Sequence, residues 1–394
     1  MLQNPPHTHD EVFMQRALKL AAETTGLASP NPQVGCVLVR ATAQGDEIIG
    51  EGAHLYANFD HAEIVALKQA SSRDISTSGA TAYVTLEPCS HHGRTGPCAD
   101  ALIAAKIARC VVATQDPNPL VSGQGIDRIK AAGIEVTIGT LQQQARDLNN
   151  PFAHFIQHHR PFVTLKAALS VDGKLAPPPA RRFPNQPHWI TGPAARHEVQ
   201  LLRHASDAIL TGIGTVLADN PALTDRSGLP RRRLLLRVIL DSQLRIPLSS
   251  QLLRTVQSSA DHTSDLLILC STTAPTSKVT ALEAAGAEVI PIPCHNGHLS
   301  LPAVLTTLAE RNILSLLLEA GSQLNGAFLT HDLVDKVVLF YGEPELGESA
   351  LPFAQGISSP FLFQQALHRT THETLGPDAL LTGYLHNPWP TGTS

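Results

Sequence analysis

Four side chains in two short stretches constrain this fold most: His61-Ala-Glu63, then Pro88-Cys89 with Pro97-Cys98 behind it. One His, one Glu and two Cys stand there in the order that a zinc-dependent deaminase needs. A zinc ion with three protein ligands and one open position lowers the pKa of its water to about 7, which supplies hydroxide at neutral pH. The Glu of such a site shuttles protons and binds no metal. His61 and Cys98 both stand where a helix is expected to open, so each would hold the metal near a positive helix end. In the common deaminase pattern two residues separate the cysteines, whereas eight do here. Taken alone, Cys89 and Cys98 also fit a structural zinc closed by His91 or His92. The His-x-Glu upstream and the Pro-Cys downstream, each beside a predicted strand or helix start, favour catalysis.

The chain has 394 residues, and a prior of roughly 150 residues per domain points to two or three domains. Hydrophobic content of 43% against charged content of 16% describes a globular chain. A formal net charge of −5 gives no general attraction to nucleic acid or anionic lipid. Residues 1–10 lack the positive start and apolar run of a signal peptide, and no apolar run approaches the ~18 residues of a membrane helix. A cytoplasmic protein is expected. The six cysteines do not form a disulfide framework. Cys36, Cys110 and Cys270 fall in apolar, strand-like runs where a thiol acts as a small hydrophobe, and Cys294 falls in a loop.

Helical spacing over 11–25, ended by Gly26, predicts an opening helix. Two β-rich runs, 34–40 and 47–54, flank Gly45-Asp46 and read as a hairpin. A helix over 61–70 follows. Strands at 82–86, 110–113 and 134–138 then alternate with helices at 98–105 and 125–132, which argues an α/β layer with partly parallel strands. One helix over 142–159 is expected to bridge to a second unit, with the boundary between 151 and 161. That unit should hold strands at 162–168, 208–211, 234–240, 266–269, 288–292, 314–318 and 336–340. Its helices are expected near 192–203, 278–285, 302–311 and 323–330. The prolines of 177–184 lack amide donors and fix φ, so this stretch reads as an exposed loop. There is no internal repeat.

On Pro30-Asn-Pro-Gln-Val-Gly-Cys36, His61-Ala-Glu63, the run from Val84 through Cys98, and Gln115-Asp-Pro-Asn-Pro119, the chain resembles the bifunctional riboflavin-biosynthesis deaminase/reductase family. The resemblance covers nearly the whole chain. It implies a cytidine-deaminase-like three-layer α/β/α domain at residues 1–155 and a dihydrofolate-reductase-like α/β domain at 156–394. The implied first reaction is hydrolytic deamination of 2,5-diamino-6-ribosylamino-4(3H)-pyrimidinone 5′-phosphate. It places Zn2+ on His61, Cys89 and Cys98, acid/base work on Glu63, and pyrimidine or ribose contacts on Asn31 and His54. Without the family, His54 reads as a surface histidine at a strand end and Asn31 as a turn former. Asp60 stands where relatives usually carry Pro, a departure that removes no ligand.

In the second half, Gly212-Ile-Gly-Thr-Val-Leu217 lacks the third Gly of a dinucleotide fingerprint. The run Gly321-Ser-Gln-Leu-Asn-Gly326 follows an apolar strand and opens a helix, so its amides could hold a phosphate or pyrophosphate. No Lys-Ser/Thr follows Gly326, so it is not a Walker loop. Residues 165–173, 189–191, 201–203, 215–226, 241–242 and 319–321 resemble the reductase half of the same family. That implies NADPH-dependent reduction of a ribosyl group to a ribityl chain, with Lys166 catalytic and Glu319 beside it at the substrate. Implied NADPH contacts are Leu169, Trp189, Thr191, Thr215, Asp219 and Ser242, together with Gly321, Ser322, Gln323, Leu324, Asn325, Gly326 and Ala327. Arg203, Leu223 and Arg226 are implied substrate contacts, since paired guanidinium groups suit a phosphate. The bland reading is a solvated charge for each Arg and a core aromatic for Trp189. Pro187 stands where relatives place a substrate-binding Ser, so weaker substrate phosphate binding or a replacement contact from Arg181, Arg182 or His188 is expected. The implied partners are phosphorylated pyrimidines and further copies of the chain, with no nucleic acid and no membrane.

Three other readings stay open at this point. One is a working deaminase with an impaired or altered reductase half. A nucleic-acid base deaminase would favour a basic face and stacking aromatics, and a net charge of −5 with 4% aromatics disfavours it. The last is a zinc-stabilised binding protein without catalysis.

Overall fold

The computed structural model describes residues 9–91, 96–178, 181, 189–258, 263–357 and 359–389. They form two compact units: Met1–His158 with Trp389–Ser394, and His159–Pro388.

In the first unit, β1 (Gly35–Thr42) and β2 (Gly45–Ala53) make the expected antiparallel hairpin. β3 (Thr81–Val84) pairs antiparallel with β1, and β4 (Arg109–Val112) and β5 (Glu135–Ile138) add in parallel. The order is β2-β1-β3-β4-β5. Side chains alternate across this sheet. Cys36, Leu38, Val84, Cys110 and Val112 share one core with α2 (Ala62–Ser72), α3 (Cys98–Ala104) and α4 (Gln124–Ala131). Val37, Val39, Tyr83 and Val111 share the other with α1 (His9–Ala22) and α5 (Gln142–Leu148). The result is a three-layer α/β/α sandwich. α2 lies so close on β2 that a Cβ at Gly52 would stand 2.2 Å from the Ala62 carbonyl oxygen. Glycine at that position is what seats the helix headed by His61.

The single helix expected over 142–159 is two helices, α5 and α6 (Asn150–His158). Asn149 separates them because its side chain is committed elsewhere: Oδ1 accepts the Gln33 amide at 2.8 Å, and Nδ2 donates to the Gln33 carbonyl at 2.9 Å. Pro151 falls in the first turn of α6, where a missing N–H leaves no helical bond unmade.

The second unit holds a nine-stranded sheet. Seven strands run parallel: β6 (Phe162–Leu169), β8 (Ala208–Gly212), β9 (Leu236–Leu240), β10 (Leu266–Ser271), β11 (Glu288–Ile292), β14 (Ser315–Leu318) and β15 (Lys336–Tyr341). β18 (Asp378–Tyr384) and β17 (His368–Leu375) continue antiparallel, giving β11-β10-β9-β8-β14-β6-β15-β18-β17. Short ribbons pair β7 (Lys174–Ala176) with β16 (Leu351–Pro352) and β12 (Cys294–His295) with β13 (His298–Leu299). One face packs on α11 (Leu301–Glu310) and α12 (Ser322–Thr330) through Val304, Leu308 and Phe328. The other packs on α8 (Ile213–Asp219), α9 (Gln251–Arg254) and α10 (Thr276–Ala284), and α7 (Pro193–Ala205) covers β15 and β18 through Ala195 and Val199. A last short helix, α13 (Pro360–Phe363), precedes β17. The strand order changes direction beside β8, β14 and β6, and open α/β sheets bind ligands at the carboxyl ends of strands flanking such a point. The expected loop over 177–184 lies largely outside the described residues.

Candidate active sites

In the first unit the sequence brings three donors together. His61 is the N-cap of α2, Cys98 is the first residue of α3, and Cys89 lies in the loop after β3. His61 Nδ1 stands 3.5 Å from Cys89 Sγ and 3.3 Å from Cys98 Sγ, and all three donor atoms lie within 4.8 Å of one another. Tetrahedral zinc with Zn–S of about 2.3 Å and Zn–N of about 2.0 Å would hold sulfur and nitrogen roughly 3.5 Å apart. The residues fit the ion. The Cys98 amide also donates to Cys89 Sγ at 3.3 Å, the charge-assisted bond a helix start offers a thiolate. A hydrogen bond from the Cys98 thiol, helped by His61, holds Cys89 down to about 4, and the same bond pushes Cys98 up. Zinc held by His61, Cys89 and Cys98 would take the place of that proton and keep both sulfurs as thiolates. Among the described residues no fourth side chain joins the group, and His91 is exposed. His92 and Arg94 lie outside the described residues.

Glu63 follows in the first turn of α2, only 3% exposed, and burial raises its carboxyl to about 7. Asn31 and His54 meet each other. His54 Nδ1–H donates to the Asp60 carbonyl at 2.9 Å, so its Nε2 accepts from Asn31 Nδ2, also at 2.9 Å. Burial lowers the His54 pKa and keeps the ring neutral for that role. The tautomer therefore fixes which way the Asn31 amide faces. The departure at Asp60 is harmless because its backbone carbonyl does the holding, and its carboxylate takes Lys68 Nζ at 2.6 Å.

Sequence reasoning missed Glu87. It is 6% exposed and accepts four backbone amides: Asp116 at 3.2 Å and Gly123 at 2.9 Å on Oε2, Gly125 at 2.9 Å and Ile126 at 3.3 Å on Oε1. A Cβ at Gly125 would stand 1.9 Å from the Pro88 carbonyl oxygen, so the head of α4 is pressed against the segment that carries Cys89. An acid placed between an apolar strand end and Pro-Cys was the available signal, since a buried carboxylate must find donors. Glu87→Gln turns one acceptor into a donor facing donors. The expected loss is about 1–3 kcal/mol of stability, with zinc given up more readily in chelator competition.

The second unit gathers Lys166 of β6, Glu319 after β14 and Arg203 of α7. Arg203 grips Glu319 with two bonds, Nε to Oε1 at 2.8 Å and NH2 to Oε2 at 3.0 Å, and its NH1 donates to the Thr224 carbonyl at 3.0 Å. Lys166 Nζ stands 3.6 Å from Glu319 Oε2. Burial alone would raise Glu319, but the Lys166 and Arg203 charges outweigh it and hold the carboxyl at about 2. Leu223, at φ 54°, turns a 4% exposed side chain into the core, and Arg226 is exposed.

The remaining implied residues divide by position. Gly321 caps α12, and the Leu324 and Asn325 amides already bond to its carbonyl, so Ser322 and Gln323 carry the amides of the first turn. Ser322 Oγ and Thr211 Oγ1 are buried without a partner, at the carboxyl ends of the neighbouring strands β14 and β8. Thr215 faces Gly321 across this gap, 3.8 Å from where a Cβ would stand. Two orphaned hydroxyls beside a helix head suit the pyrophosphate of a dinucleotide. Asn325 and Gly326 instead pack against residues 353–355, through a bond from Asn325 Nδ2 to the Phe353 carbonyl at 3.1 Å and a Cβ-excluding approach to Gln355. Leu324 and Ala327 pack on the core, and Leu169 is fully buried. Thr191 is buried beside the head of α7, Trp189 is 60% exposed with the Arg196 guanidinium 4.9 Å from its ring centre, and Asp219 is exposed at the end of α8. Ser242 follows β9, and its carbonyl accepts the Ser271 amide at 3.0 Å. Pro187, Arg182 and His188 lie outside the described residues, and Arg181 is exposed.

The first unit is thus a zinc-deaminase domain and the second a parallel-sheet domain with a site at its strand ends. The model for the cytidine and deoxycytidylate deaminase zinc-binding region matches residues 7–114, and that for the RibD C-terminal domain matches 161–381. The chain is 39% identical over 390 residues to the riboflavin biosynthesis protein RibD of Escherichia coli (strain K12), covering 94% of this chain and 98% of that protein. Against RibD of Aquifex aeolicus (strain VF5) it is 37% identical, covering 94% and 97%. The structure of Acinetobacter baumannii RibD, form 1, superposes with a TM-score of 0.78 at 36% identity, over 96% of this chain and 99% of that one. A Thermotoga maritima diaminohydroxyphosphoribosylaminopyrimidine deaminase/5-amino-6-(5-phosphoribosylamino)uracil reductase superposes with 0.79 at 33% identity, over 95% and 98%. The chain belongs to the RibD family of riboflavin biosynthesis, bifunctional enzymes that join a zinc-binding deaminase domain to an NADPH-dependent reductase domain. No helix among the described residues is long and apolar enough to cross a membrane.

Proposed function

We propose that residues 1–155 deaminate 2,5-diamino-6-ribosylamino-4(3H)-pyrimidinone 5′-phosphate and that residues 156–394 reduce the ribosyl group of the resulting 5-amino-6-(5-phosphoribosylamino)uracil. The observation that carries this reading is the three-donor set of His61, Cys89 and Cys98 with a buried Glu63 on the same helix head. Zinc held there supplies Lewis acidity that acidifies water. Glu63 takes the proton of the attacking water at its carboxylate and returns it to the leaving ammonia. Asn31, oriented by His54, positions the pyrimidine or ribose.

In the reductase half NADPH supplies the hydride, and the protein aligns and stabilises. Thr215, Gly321, Ser322 and Gln323 would hold its phosphates, with Trp189, Thr191, Asp219 and Ser242 around them, while Leu169 and residues 324–327, packed on the core and on 353–355, support them from behind. Lys166 Nζ delivers a proton to the opening sugar, Glu319 and Arg226 face the substrate, and Leu223, whose side chain lies in the core, offers only its backbone. Arg203 serves this group through Glu319, which occupies two of its guanidinium nitrogens.

The test is an assay of the purified protein with the pyrimidine phosphate, zinc and NADPH, following ammonia and NADPH together. Ammonia should appear without NADPH, whereas NADPH oxidation should require the deaminated product. Full NADPH oxidation on the undeaminated compound would refute the order of reactions, and ammonia release without any oxidation would favour an altered reductase half.

A further inference from the structure

Trp389 follows the last strand of the reductase sheet yet belongs to the deaminase unit. It is 3% exposed and packs with Leu86, Ala153 and the partly buried Val34. Its indole N–H donates to Asn150 Oδ1 at 2.9 Å and to the Arg146 carbonyl at 3.2 Å, and the Arg146 guanidinium lies 5.2 Å from its ring centre. None of the chemistry above uses this residue.

Four of its neighbours, Val34, Leu86, Arg146 and Asn150, lead to the deaminase site. Val34 ends the loop that carries Asn31, and its carbonyl accepts the His54 amide at 3.0 Å. Leu86 precedes Glu87 and Pro88-Cys89 in the chain. Arg146 Nε donates to Thr114 Oγ1 at 3.2 Å, and the Thr114 carbonyl accepts the Glu87 amide at 2.9 Å. Asn149, next to Asn150, clamps the backbone of Gln33 on both its donor and its acceptor. The indole is therefore a common floor beneath the substrate-contact loop and the ligand loop. In an interior packed like a crystal, a void under such a floor displaces what rests on it.

We infer that Trp389 is a positioning residue of the deaminase: the end of the chain, beyond the reductase sheet, sets the placement of the Asn31 loop and of the Leu86–Cys89 segment. This rests on the deaminase reading of His61, Cys89 and Cys98. A displacement of about 1 Å in a positioning group changes catalytic efficiency by as much as about 100-fold.

The test uses full-length Trp389→Ala and Trp389→Phe. In the alanine variant the KM for the pyrimidine phosphate in the ammonia assay should rise about 10-fold or more. Zinc should still bind but be given up more readily in chelator competition, and NADPH oxidation on deaminated substrate should be unchanged. The phenylalanine variant keeps a ring and loses the donor, so its KM should rise less. An unchanged ammonia KM in Trp389→Ala, or equal fractional losses of both activities, overturns the inference. If the alanine protein does not fold, the phenylalanine variant decides by the same contrast: a KM rise confined to the deaminase supports the inference, and an unchanged KM overturns it. Failure of the unsubstituted protein to release ammonia would instead sink the deaminase reading itself.

Discussion

Replacing Glu63 by glutamine is expected to lower ammonia release by about 10²- to 10⁴-fold while zinc stays bound. Glutamine has the same length and keeps a carbonyl oxygen, so the head of α2 should hold its shape. His61, Cys89 and Cys98, whose donor atoms lie within 4.8 Å of one another, are untouched. What is lost is the group that accepts a proton and gives it back. Glu63 is 3% exposed, so bulk water has poor access to replace it as a base. Metal analysis and an ammonia assay on one preparation separate the two effects. An unchanged rate would remove Glu63 from the mechanism, and loss of zinc together with the rate would make it a structural support. NADPH oxidation on deaminated substrate should proceed at the unsubstituted rate, because that chemistry belongs to the other unit.

The two sites differ in how far they can be read from the sequence, and the reason is locality. His61 and Glu63 share one helix head, and Cys89 and Cys98 bracket one loop, so each pair leaves a short pattern of residue types. The reductase cluster leaves no such pattern: Arg203 and Glu319 lie 116 positions apart and meet only because α7 crosses near the end of β14. Read singly, Arg203 is a helix charge, and nothing in its neighbours says that its guanidinium is spent on a carboxylate. Strand β17 was equally hidden. Its residues His368 to Thr374 are all exposed, so the alternation that betrays a half-buried strand is missing. Trp389 sits among prolines near the end of the chain, and its burial depends on partners more than 230 positions away. Glu87 is the intermediate case, visible as an acid in an apolar setting but without any sign of which amides would satisfy it.

Arg203→Ala is expected to destabilise the second unit by about 3–5 kcal/mol, because removing one partner leaves the other as a buried, half-compensated charge. Glu319 would keep only Lys166, at 3.6 Å, in place of the two-bonded Arg203 grip. NADPH oxidation should fall with it, whereas ammonia release should survive. The acid side gives a second readout. The Glu319 carboxyl is held at about 2, against about 4.3 in an unfolded chain. The stability it supplies is therefore complete above the unfolded value and is lost as pH falls from about 4 toward 2. Without Arg203 the folded-state pKa rises toward the unfolded one, and that contribution shrinks at every pH above the window. Denaturation curves of both proteins at pH 7 and pH 3 should then show a large difference at neutral pH that narrows in acid. A variant as stable as the unsubstituted protein at both pH values, with only a higher KM for the phosphorylated substrate, would return Arg203 to the role of a direct phosphate contact. The Glu319 grip would then be a resting arrangement that substrate displaces.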